Sequence, residues 1–415
     1  MKSTRQRVAA VLIAAFGMSI MYTGTALAAT QWVNDDPPIG TNTSCANPGF
    51  NDIQSAVTAA GVGDTVRVCP GVYDGQVVVP KKLILRGAKF GQDARTRSTS
   101  GESIVRGAGA QTVGFDLQGN NIVLDGFTIR AVGNGPGVQT SPAFSGYQVI
   151  NDIIQNNAFG IYANTGSAFQ NVIHTNLIKN NNANLGVASA AGNGIYTDQG
   201  TNRLLVARNR MVGQKNAGFL FTNTGSVQNN DVTIQYNQAV NNTNFVNLFG
   251  NNSNFQIRSN STNDTIPGDN ASQGTAIRIA DNANGVVVTS NTISNSPFSG
   301  VAVRDAEFVP PGQGPDNIDI NFNHIMSPAG NGVDITDSVA AAVSVFKNTI
   351  RHAGMDGIFL GPATMQNFVN SNSALFSADF DCEDQSTGTG TSGTANTWTN
   401  NIGNSADPPG ICHHS

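Results

Sequence analysis

Charge is scarce in this 415-residue chain. Asp, Glu, Lys and Arg make up only 12% of it, where about 25% is typical. There are three glutamates, Glu102, Glu307 and Glu383, and two tryptophans. The formal net charge is −5, and no basic run follows the first few residues. That argues against nucleic acid as a partner, which calls for a clustered Lys/Arg footprint. The four cysteines contain no CxxC spacing, which argues against a zinc site. Beyond the N-terminal segment no apolar run is long enough to span a bilayer.

Asparagine, glycine, serine and threonine fill the space that charge leaves. Eight asparagines recur in one local pattern at intervals of 22 to 33 residues: Asn176, Asn209, Asn237, Asn260, Asn291, Asn323, Asn348 and Asn370. An apolar residue sits three positions before most of them (Ile173, Val206, Ile234, Ile257, Val288, Ile320, Val345) and another two positions after most. Asn367 and Asn372 break this rule around Asn370. A repeat of this length is the mark of a solenoid. Asparagine tolerates the left-handed conformation of a sharp bend. Its amide can donate and accept, so stacked coils would bond these side chains into an internal ladder.

A second element lies upstream in each coil, as in Gly160-Ile161-Tyr162, Gly194-Ile195-Tyr196, Gly300-Val301-Ala302 and Gly332-Val333-Asp334. The leading glycine suits a bend with positive φ. Strand alternation then turns Ile161, Ile195, Val301 and Val333 inward, and Tyr162, Tyr196, Arg278, Ala302 and Asp334 outward. Residues 50–60 read as a capping helix, with Ile53, Ala56, Val57 and Ala60 on one face and Gly61 as the stop. Longer gaps mark insertions near Ala183–Gly192, Ser261–Gln273 and Glu307–Asp316.

The N-terminus carries Lys2, Arg5 and Arg7, an apolar stretch from Val8 to Ile20, and Ala26-Leu27-Ala28-Ala29. This pattern predicts a secretory signal over 1–28. Residues 29–111 then form the N-terminal cap and first coils, 112–374 the regular coils, and 375–415 a C-terminal cap. Two cysteine pairs near the two ends, in an exported protein, predict disulfides Cys45–Cys69 and Cys382–Cys412. The expected setting is secreted, periplasmic or cell-surface, as a monomer without a membrane span.

The motifs Ile53-Gln54-x-Ala56-Val57 and Gly63-Asp64-Thr65-Val66-x-Val68-x-Pro70-Gly71-x-Tyr73, with the Asn-x-Ile coils, resemble the right-handed parallel β-helix proteins of the pectate-lyase-like superfamily. The Cys412-terminated tail resembles the closing segment of secreted bacterial members. The resemblance covers about residues 45–382. It implies an all-β, single-stranded right-handed parallel β-helix. It carries over no catalytic residue, because the Asn-Thr-Asp, Asp-Asp and Gly-His-Gly sets of polygalacturonases and the Asp-Pro-His-Glu of alginate epimerases are missing.

The expected substrate-binding surface is the outward face of the glycine-led strands. Arg278 and Arg304 could hold uronate carboxylates, with Asp305 and Asp334 beside them. In the resembled lyases an arginine or lysine abstracts a proton next to a Ca²⁺-bound carboxylate. The plainer reading is that these charges pair with one another. Tyr162 and Tyr196 could stack on sugar rings with Asp198 at their edge, or pack beneath the Ala183–Gly192 insertion. Asp379, Asp381, Glu383 and Asp384 are weak Ca²⁺ candidates, with a solvated turn as the rival. Three functions follow in order: binding or lyase-like processing of an extracellular acidic polysaccharide, a non-catalytic adhesin or surface-structural role, and periplasmic metal delivery.

Overall fold

Strands of mostly three to seven residues follow one another at short intervals, and each pairs in parallel with the equivalent strand one coil away. This computed structural model describes residues 28–414 apart from 37, 108–111, 187–189, 224–226, 265, 268–273, 305–313 and 337–342. Nearly all of the proposed leader therefore lies outside the described residues. The strands form three parallel sheets of 14, 12 and 13 strands. In chain order within a coil these are the first sheet (for example Asn171–His174), the second (Leu177–Lys179) and the third (Asn193–Thr197). The chain is a right-handed parallel β-helix. No helix among the described residues is long and apolar enough to cross a membrane.

Alternation places one apolar stack inside each sheet. Ile161, Ile195, Phe219, Ile277, Val301, Val333 and Ile358 are all fully buried. All but Ile277 follow a glycine, and that glycine is needed for a reason other than the expected one. Gly194 does not have a positive φ. A Cβ there would lie 2.6 Å from the Gly218 carbonyl oxygen of the next coil and strike Met211. Close coil-to-coil approach excludes a side chain at this corner.

The ladder runs at the bend from the first sheet to the second. Each rung's Nδ2 donates to the Oδ1 of the next, at 3.0 Å from Asn176 through Asn348. It also donates to a carbonyl of the preceding coil, as Asn291 does to Ile257 at 2.8 Å. Two expectations are corrected. The eighth rung is Asn372, not Asn370, and the ladder continues to Asn401. Asn370 instead ends the strand Phe368–Asn370 and accepts from the Ser371 hydroxyl. The left-handed residue is also not the rung. It is the residue before it: Thr175, Arg208, Tyr236, Ser259, Ser290, Phe322, Lys347 and Ser371. A second, shorter ladder of Asn157, Asn181, Gln214, Asn242 and Asp264 lines the bend into the third sheet.

The ends are closed as their residue types suggest. Helix α1, Ile53–Ala59, is capped by Asp52, which accepts from the Ser55 amide at 2.7 Å, and it buries Ile53, Ala56 and Val57. Disulfides join Cys45 to Cys69 and Cys382 to Cys412.

Candidate functional site

One outward column crosses the third sheet. Its register is Gln139, Tyr162, Tyr196, Leu220, Asn247, Arg278, Ala302, Asp334, Phe359 and Glu383. With adjacent strands about 4.8 Å apart, the tyrosines and Arg278 are separated by roughly 14 Å. The candidate residues therefore form two groups.

The first group is a built aromatic site. The rings of Tyr162 and Tyr196 stack with centroids 5.7 Å apart and an interplanar angle of 15°. Phe159 meets both edge-on, at 5.9 Å. Asp198 accepts from both hydroxyls, from Tyr162 on Oδ1 and from Tyr196 on Oδ2 at 3.0 Å. Gln199 Nε2 donates to the Tyr162 hydroxyl oxygen at 2.7 Å. Burial, then Asp198, pushes both tyrosine pKa values well above 10, so the hydroxyls stay protonated. Ala190 and Ala191, from the predicted insertion, pack with Phe159 against the tyrosines. Both ways of using these rings meet here: one side packs beneath the insertion, and the tyrosines remain only half-buried. The sequence reading missed Phe159 and Gln199. Both flank the motif residues, and Phe159 immediately precedes the leading glycine.

The second group is closed. Arg278 is 3% exposed and Asp334 2%. Arg304 Nη2 donates to Asp334 Oδ2 at 2.7 Å, and the Ser299 hydroxyl donates to the same oxygen at 3.1 Å. The Arg278 guanidinium lies over the Phe249 ring at 4.8 Å, and that of Arg304 over Phe298 at 5.3 Å. Outward-pointing is thus not the same as open. Arg304 is paired with Asp334 and Arg278 is covered, so they make a poor uronate clamp. Asp305 lies outside the described residues.

The four carboxylates around Cys382 do not converge. Asp379 is exposed, while Asp381 is buried and accepts from the Ser377 and Asn404 amides. Glu383 faces outward beside Gln385, while Asp384 turns inward to Trp398 Nε1 at 2.7 Å and to Asn396. Strand alternation sends Glu383 and Asp384 to opposite faces. Among the described residues no cluster of three or more His, Cys, Asp or Glu could hold a metal ion. A different pair of carboxyls interacts instead: burial, followed by the nearby Glu383 charge, pushes Asp356 up to about 7.

No family profile matches this chain, and no curated protein does. Among solved structures it is similar to the catalytic unit of a thermostable GH87 alpha-1,3-glucanase from Streptomyces thermodiastaticus strain HF3-3. The identity is 14% and the TM-score 0.59, over 89% of this chain and 68% of that one. It is also similar to an alginate lyase from Paenibacillus sp. str. FPU-7, at 15% identity and TM-score 0.46, over 71% of this chain and 91% of that one. A third is the A-module of the Azotobacter vinelandii mannuronan C-5 epimerase AlgE6, at 12% and 0.42, over 84% and 88%. At such identities the likeness is one of fold: the class defined here is the right-handed parallel β-helix.

Proposed function

We propose that this protein is exported and binds an extracellular polysaccharide on the outer face of its third sheet, with Tyr162, Tyr196 and Asp198 as the contact residues. One observation carries the reading. Two partly exposed tyrosine rings are stacked and locked by a shared carboxylate. A flat amphipathic surface held in advance is what a sugar ring needs, since little side-chain freedom is then lost on binding. Export is supported by the leader-like N-terminus and by two disulfides, which persist in oxidising compartments. The fold shared with a glucanase agrees with this but does not fix it.

Binding without cleavage is favoured over lyase chemistry. Arg304, the less buried of the two candidate arginines, is committed to Asp334. Metal delivery has no ligand cluster to rest on among the described residues.

The test is calorimetric binding to a panel of neutral and acidic polysaccharides. Tyr196→Ala should weaken the best ligand about tenfold or more, equivalent to about 1.4 kcal/mol. Tyr196→Phe, which keeps the ring, should retain most of the affinity. Leu220→Ala, one coil further along the same column, is the control. Equal binding by Tyr196→Ala and wild type would remove the site.

A further inference from the structure

The sheet opposite in character to the third one is the second. Consider the strip made by its strands and the two bends beside them, over the eight coils that carry the asparagine ladder. It comprises residues 174–180, 207–213, 235–241, 258–264, 289–295, 321–327, 346–352 and 370–376. Between residues 174 and 376 the chain has twelve carboxylates and ten Lys/Arg. The strip holds six of the ten cations and one of the twelve carboxylates. That one, Asp264, is buried and bonded to Asn242 and Thr262. The six cations are Lys179, Arg208, Arg210, Arg258, Lys347 and Arg351, and none makes an ion pair within the described residues. Arg210 Nε is buried without a hydrogen-bond partner. A chain of net charge −5 has thus kept one long face free of exposed negative charge.

The same strip displays aromatic rings in a costly conformation. Tyr236, Phe322 and Phe376 are each more than half exposed. Each also adopts a left-handed backbone, with φ of 55°, 53° and 65°. For a bulky residue this conformation costs of order 1–2 kcal/mol. Most equivalent bend positions in other coils carry a small or polar residue instead, as at Thr175, Ser290 and Asn295, or a cation, as at Arg208 and Lys347. No core burial offsets the cost at the exposed rings. Lys347 lies over Phe322 and Phe346, and Arg351 over Phe376. Rings and cations are therefore interleaved.

From the charge segregation and these rings, we infer that the second sheet and its bordering bends form a binding face for an anionic polysaccharide of the polyuronate kind. Along the eight coils, a span of roughly 34 Å, the six cations fall in four: Lys179, then Arg208 with Arg210, then Arg258, then Lys347 with Arg351. Duplex DNA presents a negative charge every ~1.7 Å and needs denser neutralisation. A polymer with one carboxylate per sugar matches the sparse spacing, and the exposed rings offer its apolar sugar faces a place to stack. This face is separate from the tyrosine site; its Arg208, Arg258 and Lys347 are exposed, and none of its six cations is committed to a carboxylate within the described residues as Arg304 is.

The experiment compares the mature wild-type chain with Lys347→Glu/Arg351→Glu and with Arg203→Glu/Lys215→Glu, which reverses two exposed cations outside the strip. The probes are polygalacturonate, neutral dextran, duplex DNA and phosphatidylglycerol vesicles. Wild type should bind polygalacturonate in preference to dextran at low salt and lose it as salt screens the charges. The charge reversal on the strip should weaken that binding at least about tenfold with an unchanged melting temperature, while the reversal outside it weakens binding far less. The inference is overturned if the strip variant binds as wild type, if dextran binds as well as polygalacturonate, if the two double variants lose binding equally, or if only DNA or vesicles bind.

Discussion

An interior ladder asparagine makes four side-chain hydrogen bonds to three neighbours. Asn291 donates through Nδ2 to Asn323 and to the Ile257 carbonyl, and its Oδ1 accepts the amide and the Nδ2 of Asn260. Removing the side chain leaves buried groups on both adjacent coils without partners. Asn291→Ala should therefore destabilise the protein by about 1–3 kcal/mol in urea melts. A fair comparison is Asn295→Gly at the next bend. Asn295 is exposed with φ 54°, so glycine keeps its backbone at ease and the loss should stay within about 0.5 kcal/mol. Similar losses at both sites would contradict the ladder. The misassigned eighth rung shows what was legible at this scale. Val369, three before Asn372, and Ala374, two after it, satisfy the full pattern, whereas Asn367 and Asn372 violate it around Asn370. The correct register was present in the apolar flanks, and a regular asparagine spacing in an Asn-rich segment obscured it.

At the scale of the element, alternation along the glycine-led strands was readable, and it correctly separates Val333 from Asp334. What it cannot convey is depth, because coverage of an outward side chain comes from residues distant in sequence, such as Phe249 over Arg278 and Phe298 over Arg304. This changes the expected behaviour of Arg304. As an open uronate clamp it would affect binding and leave stability alone. Paired with buried Asp334, it should do the reverse: Arg304→Ala strands a carboxylate and should cost roughly 2–4 kcal/mol. That is less than a fully buried pair, because the Arg304 side chain keeps 22% exposure. Unchanged thermal stability in Arg304→Ala would show that the pair is not structural. The neighbouring carboxyl pair links the bend at Asp356 to the last full strand of the third sheet. Asp356 is raised from 3.8 to about 7, so the folded chain keeps a proton in that window which the unfolded chain has lost. The contribution of this group to stability is therefore greatest at acid pH, falls as pH rises through the window, and levels off above it. Asp356→Asn should flatten that part of the stability profile, and a wild-type slope unchanged by the substitution would mean that another group titrates there.

For the whole molecule, the repeat made the solenoid legible because every coil restates the same inward apolar positions. The placement of charge was not legible in the same way. Lys179, Arg210 and Arg351 are far apart in sequence and form no basic run, yet the coil repeat brings Lys179 and Arg351 to one outward column of the second sheet and Arg210 to the outward column beside it, flanked by exposed rings. The fold thus presents two different faces, a tyrosine site on the third sheet and a cationic strip on the second. The claim that this β-helix is a polysaccharide-binding protein is tested most directly by titrating the mature chain against a panel of neutral and acidic polysaccharides at high salt, where contacts to the cationic strip are screened. The account predicts at least one ligand that wild type binds and Tyr196→Ala loses, without formation of an unsaturated, ultraviolet-absorbing product. A panel on which nothing binds, or on which Tyr196→Ala binds as wild type does, would contradict it.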